Sequence, residues 1–374
     1  MGIPFAASPR SSVGIEWELM LADADSGDLV PRGPELLAEL AGDPGVTGEL
    51  LTNTVEVISQ PRERVADAVD DIRRRVEAVR RAAAERGVRP LSAGSHPFAK
   101  WFDQSITEKT RYHKLIQRTQ WWGRNMMIWG IHVHVGVDDV AKVMPILGEV
   151  TAYLPHLQAL AASSPFWSGE STGYASNRAL VFQQLPTAGL PWALPDWAAF
   201  EGYVDDLSRT GVVEDVTEVR WDVRPAPRWG TIELRACDAV TNPQELAAIA
   251  ALAQSLVEWC SRRLDAGEEL RPLAPWFHRE NKWRAARYGL DATAIVGPGG
   301  EELPVREHLG ALLPVLEPIA RDLGCAPALA DVRGILDAGA SCQRQRRVAE
   351  SHGGDLAAVV RHLFEEFDAE RPLG

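Results

Sequence analysis

"GIEWELML", residues 14–21, alternates apolar and acidic residues. Its apolar residues Ile15, Trp17 and Leu19 alternate with Glu16 and Glu18, and successive side chains of a strand point to opposite faces. One face of this strand is therefore apolar and the other carries two neighbouring carboxylates. Carboxylates so placed repel each other unless something cationic lies between them.

Three further segments repeat the pattern. In "TNTVEVIS", 52–59, Val55 and Val57 lie opposite Glu56. In "MMIWGIHVHVGV", 126–137, Met127, Trp129, Ile131, Val133, Val135 and Val137 form one unbroken apolar face. The other face carries His132 and His134, and the flanking Gly130 and Gly136 are expected to leave room for a ligand. "EVRWDVRPAPRWGTIELRACDA", 218–239, reads as a hairpin. Its Pro-rich turn joins a strand with Arg220, Asp222 and Arg224 to one with Glu233 and Arg235 opposite Ile232 and Leu234.

Helical stretches separate these strands. Apolar residues recur every three or four positions from Pro61 to Arg86, predicting an amphipathic helix closed by Gly87. Strand 14–21 returns through "DADSGD" to Leu29 and Val30 as a hairpin, and another strand is expected near 88–93. "TEKTRYHKLIQRTQWW" reads as a polar helix, 139–162 and 196–209 as long helices, and the chain beyond 239 as mainly helical. Hairpins interrupted by helices predict an α+β fold, an antiparallel sheet with helices over its apolar face. With no repeat, low-complexity stretch or Pro/Gly/Ser-rich linker, residues 1–374 are expected to form one domain with a mainly helical C-terminal part.

Composition narrows the function. The 374 residues carry a formal charge of −13, which argues against a nucleic-acid or anionic-membrane partner. No basic, apolar leader and no membrane-length apolar run occurs, and Cys237, Cys260, Cys325 and Cys342 form no C-x-x-C pair. These features predict a cytoplasmic protein with free thiols.

Taken singly, E-x-E reads as a solvated strand face and E-x-R as a cross-strand ion pair. Together on four strands, Glu16, Glu18, Glu56, His132, His134, Glu233 and Arg235 make a face of carboxylate and imidazole that suits Mg²⁺ or Mn²⁺. An arginine beside such ions can stabilise a phosphoryl group in transfer. "GESTG", 169–173, matches G-x-S-x-G, but "SSPFWS" before it does not read as the strand a nucleophile elbow needs. Neither a P-loop nor H-E-x-x-H occurs. "RENKWRAARYGLDA", 279–292, places Asn281, Lys282, Arg284 and Arg287 on about two helical turns, readable as a solvated basic face or as a clamp for phosphate or carboxylate. "DVRGILDAGASCQRQRR" reads as a basic surface cluster.

"GIEWELML", "TNTVEVIS", "GIHVHVGV", "WDVRPAPRWGTIELRACDA" and "ENKWRAARYGLDA", in this order, resemble the carboxylate-amine ligases of the glutamate-cysteine ligase type 2 family. The resemblance implies a glutamine synthetase-like catalytic domain, with a curved antiparallel sheet and helices on its outer side. It implies an ATP-dependent ligase in which a substrate carboxylate attacks the γ-phosphate and an amine opens the acyl phosphate to an amide. Glutamate plus cysteine giving γ-glutamylcysteine is the reaction of the family's name. Carried onto matching positions, Glu16 and Glu18 would bind two different metal ions, with Glu56 and Glu49 completing one site and His132 and Glu233 the other. Arg235 would stabilise the γ-phosphoryl group, His134 and Arg224 would lie near the substrates, and Asn281, Lys282 or Arg284 would lie near phosphate. The implied cofactors are ATP and Mg²⁺ or Mn²⁺, and the partners are small carboxylate and amine substrates of amino-acid type. A homo-oligomer is left open. A metal-dependent hydrolase would use the same acidic face without ATP, and a non-catalytic ligand-binding protein could keep the fold without turnover.

Overall fold

The computed structural model describes residues 2–373. Seven strands form the main sheet: β1 (Val13–Asp23), β2 (Val46–Gly48), β3 (Thr54–Ile58), β4 (Val88–Leu91), β5 (Ile131–Gly136), β6 (Val223–Ala226) and β7 (Thr231–Leu234). Their order is β2-β3-β1-β5-β7-β6, with β4 paired to the far end of β1, and every pair is antiparallel. This is the expected α+β arrangement.

Register turns four separate sequence patterns into one surface. Glu18 stands opposite Glu56, and Glu56 opposite Thr47. Glu16 stands opposite His132. His134 faces Glu233, which faces Arg224 on the next strand. A slip of one residue in any pair would turn these groups into the core, so the apolar face fixes the register.

That apolar face is closed by helices. Ile15, Trp17, Leu19, Val55, Val57, Ile131, Val135 and Ile232 are fully buried. Helices α1 (Val65–Ala84) and Pro243–Asp265 cross them, the first through Val65, Val69, Ile72, Val76 and Val79. Trp17 buries its indole, whose N–H donates to the Val240 carbonyl at 3.1 Å, as a buried tryptophan requires. One continuous apolar core runs from Val13 to Phe367.

Several local expectations are corrected. Helix α1 starts at Val65 rather than near Pro61, because the Arg62 backbone is used as a bridge to Val13. The stretch 139–162 is two helices, Val140–Thr151 and Leu154–Ala161; Pro155 lacks the N–H needed to continue the first. Phe166–Trp167 is a short strand after all, paired with Glu170–Ser171. The C-terminal basic cluster is not all surface: Arg344, 1 % exposed, bonds Glu245 at 2.9 Å and also pairs with Glu366, tying three helices together.

Candidate active site

The polar face of the sheet is the floor of a cleft of about 1130 Å³. Glu16, Glu18, Glu56, His132, Arg224 and Arg235 line it, as does Glu49 from the loop after β2. The walls add apolar Leu50, Leu51, Met126, Ile128, Phe182 and Leu185, and basic Arg111, Lys114, Arg118, Arg178 and Arg220. Arg111, Lys114 and Arg118 come from one face of helix α2 (Thr110–Thr119), which in sequence reads only as polar. Their spacing of three and four was the available signal.

Glu16 is the centre of the acidic floor. Its carboxylate lies 2.7 Å from His132 Nδ1 and 3.3 Å from His134 Nε2. Burial works against its charge, but the hydrogen bonds from the two imidazoles hold its carboxyl well below the usual range. Burial and nearby Arg235 push His132 down to about 4, so it is neutral near pH 7. A neutral imidazole donating through Nδ1 to Glu16 keeps its Nε2 lone pair for a ligand. Burial opposes charge on His134 too, yet Glu233 and Glu16 raise it.

The carboxylates around Glu16 lack this compensation. Burial, then repulsion from Glu49, pushes Glu18 up to about 7. Burial and the charges of Glu16, Glu49 and Glu18 drive Glu56 well above the ordinary range. Burial also raises Glu49, against the pull of Arg111 and the Tyr112 hydroxyl, 3.2 Å away. Glu233 behaves oppositely: despite burial, Arg235, His134 and Arg224 hold it well below the normal range. Arg224 Nε donates to it at 2.7 Å, and Arg235 Nη1 also donates to it.

Two donor triads are close enough to share an ion: Glu16 with Glu56 and His132, and Glu16 with His134 and Glu233. The residues fit a hard divalent cation, since the donors are carboxylates with single imidazoles and the crowded charges of Glu18, Glu49 and Glu56 call for a positive partner. The grouping differs from the expected one. Glu16 and Glu18 are expected to hold one ion each, whereas Glu16 belongs to both triads and His134 joins one of them. Glu18 lies in the cleft beside them, where its carboxylate accepts the Gly130 N–H.

The "RENKW" segment is not brought to the cleft. Lys282 is buried against Asp222 at 2.6 Å, Asn281 closes on the Ile295 backbone, and Arg284 bonds Glu280 and Glu302. Asn281 and Lys282 are spent inside the fold, and Arg284 is taken up by surface ion pairs. Gly130 and Gly136 are not there to admit a ligand either: a side chain at 130 would collide with the Arg178 guanidinium, and one at 136 with the Pro9 carbonyl.

A profile of glutamate-cysteine ligase family 2 matches residues 12–362, spanning the cleft and the helices behind it. The chain belongs to this family. Glutamate-cysteine ligase family 2 includes relatives close in sequence over nearly their whole length. A protein of Leifsonia xyli subsp. xyli named "Putative glutamate--cysteine ligase 2" is 55 % identical over 97 % of this chain and 98 % of its own. One of the same name from Clavibacter michiganensis is 54 % identical over 98 % and 97 %. Among solved structures, the glutamate–cysteine ligase of Francisella tularensis in complex with AMP covers 97 % of this chain and 90 % of its own, with TM-score 0.69 and 15 % identity. A bifunctional glutathione synthetase from Pasteurella multocida has the same TM-score and identity over 96 % of this chain and 52 % of its own. Those two likenesses concern the fold. As a member of glutamate-cysteine ligase family 2, the chain is a carboxylate-amine ligase.

Proposed function

We propose that this ligase couples ATP cleavage to amide formation through an acyl phosphate, with glutamate as the acid and cysteine as the amine. The observation that carries this reading is the shared corner at Glu16, where two triads of hard donors meet beneath a cleft whose other wall is rich in guanidinium groups. Mg²⁺ or Mn²⁺ held by Glu16, Glu56 and His132 and by Glu16, His134 and Glu233 would supply positive charge against the phosphate oxygens.

The chain's own groups do the rest. Arg235, anchored on Glu233, presents its guanidinium to the cleft, where it would stabilise charge on the transferring phosphoryl group. Arg224, anchored on the same carboxylate, would orient a substrate. The floor and walls hold carboxylate, phosphate and amine in one place, which lowers the entropic cost of their meeting. The crowded arginines favour this reading over a hydrolase, whose metal-activated water needs no phosphate-binding cations.

We take the chain as one catalytic domain acting on small amino-acid substrates in the cytoplasm, without nucleic-acid or membrane partners. The continuous core, the four buried free cysteines and the lack, among the described residues, of a helix long and apolar enough to cross a membrane support this. The test is ADP release from ATP and Mg²⁺ with glutamate and cysteine, with the product identified by mass. ADP and γ-glutamylcysteine formed one to one are expected. Amide hydrolysis without ATP would replace this reading by the hydrolase one.

A further inference from the structure

Arg178 is the unusual cation of the cleft. It lines the wall yet is only 4 % exposed. Arg224 and Arg235 share Glu233, whereas Arg178 has no carboxylate partner within ion-pair distance among the described residues. Among the described residues its Nε has no hydrogen-bond partner, and Nη1 reaches only the Arg235 carbonyl, at 3.5 Å. Glu18 and Asp238 act on it only from beyond ion-pair distance, and a buried charge without a close partner is costly. A guanidinium with most of its donors free, on a residue that lines the cleft, is suited to an oxyanion held by two parallel bonds.

The Arg178 backbone is held by a hub behind the cleft. Asp238 is fully buried and makes no ion pair among the described residues; its carboxylate accepts from Ser164 Oγ at 2.7 Å, Ser176 Oγ at 2.7 Å and the Ser163 N–H at 2.9 Å. Ser164 Oγ in turn accepts the Arg178 N–H at 3.0 Å. Ser176 caps the short helix Asn177–Phe182 that carries Arg178. Gly94 and Gly130 clear the space, since a Cβ on the first would press into Asp238 and one on the second into the guanidinium.

Resting on the ligase reading, we infer that Arg178 receives an oxyanion of the substrates and that Asp238, through Ser164 and Ser176, is the positioning residue that aims it. The oxyanion is either a carboxylate of the acid substrate or a phosphate of ATP. Asp238 touches neither.

The test measures binding of L-glutamate and of ATP, each with Mg²⁺, by calorimetry on the full chain and on Arg178→Lys, Ser164→Ala and Asp238→Asn. All three variants are expected to weaken the same one of the two probes by roughly tenfold to a hundredfold and to leave the other unchanged. Loss for glutamate alone assigns the carboxylate, and loss for ATP alone assigns the phosphate. A hub with only a structural role would lower Tm and leave both affinities of the folded protein unchanged. That result, loss of both probes together, or a wild type that binds neither would overturn the inference. Ser164→Ala keeps the test decisive if Asp238→Asn does not fold. A wild type that binds ATP and glutamate but releases no ADP with cysteine tells instead against the ligase reading.

Discussion

Glu233→Gln is expected to damage the protein twice, in turnover and in stability. The Glu233 side chain is 2 % exposed and accepts from Arg224 Nε at 2.7 Å, from Arg224 Nη2 at 3.3 Å and from Arg235 Nη1. The amide keeps the shape and one acceptor but removes the charge that holds two neighbouring guanidiniums together. Removing one partner of a buried ion pair costs about 3–5 kcal/mol, because the remaining charge is left uncompensated. Two stranded arginines place the expected loss toward the upper end of that range. This corresponds to a rise of roughly two to four powers of ten in the unfolding constant. Urea unfolding followed by the fluorescence of the 13 tryptophans measures the loss directly, and ADP release measures the catalytic one. Arg224→Met added to Glu233→Gln should recover part of the stability and none of the turnover. A stability loss below about 1 kcal/mol would mean instead that the carboxylate holds neither arginine.

Three further outcomes follow from named contacts. Arg235→Lys should lower kcat by about a hundredfold with a much smaller change in ATP affinity, because lysine replaces the guanidinium fork by a point charge; equal losses in both, measured by steady-state kinetics and calorimetry, would contradict a transition-state role. Lys282→Met should lower Tm by stranding buried Asp222 and leave KM for ATP unchanged, the opposite of a phosphate clamp. Stability should fall as pH drops from 6.5 to about 4, in part through His96, which burial pushes down to about 4. Neutral His96 accepts the Ala99 N–H at 3.0 Å and pairs with the Gly27 carbonyl at 2.9 Å, while the unfolded chain takes up a proton below 6.5. The contribution is complete above 6.5, lost by about 4, and worth about 3 kcal/mol; His96→Gln should flatten the pH dependence of the urea midpoint by that amount.

The acidic floor was legible because a strand's two-residue period is a local property: Ile15, Trp17 and Leu19 on one side leave Glu16 and Glu18 on the other. The same held for Val55 and Val57 around Glu56, and for the valines around His132 and His134. How the donors group was not legible, since it depends on register. Glu16 became the shared corner because β1 sets it opposite His132, while Glu18 falls beside the Gly130 N–H. Charge partners distant in the chain were hidden as well. Lys282 looks like a free cation until Asp222, sixty positions earlier, is folded against it. Arg344 looks solvated until Glu245 and Glu366 surround it. Arg178 gave no signal, because one arginine in "SNRALVF" becomes notable only once it is buried with no carboxylate in ion-pair distance among the described residues.

Isotope transfer reports whether a carboxylate is activated by phosphoryl transfer above the acidic floor. Glutamate labelled with ¹⁸O in its γ-carboxylate is turned over with ATP, Mg²⁺ and cysteine, and the released phosphate is analysed by mass. Attack of the carboxylate oxygen on the γ-phosphorus, followed by expulsion of phosphate from the acyl carbon by the amine, leaves one substrate oxygen in each phosphate. Phosphate carrying one ¹⁸O per amide formed is the predicted result, and amide formation with unlabelled phosphate would contradict it.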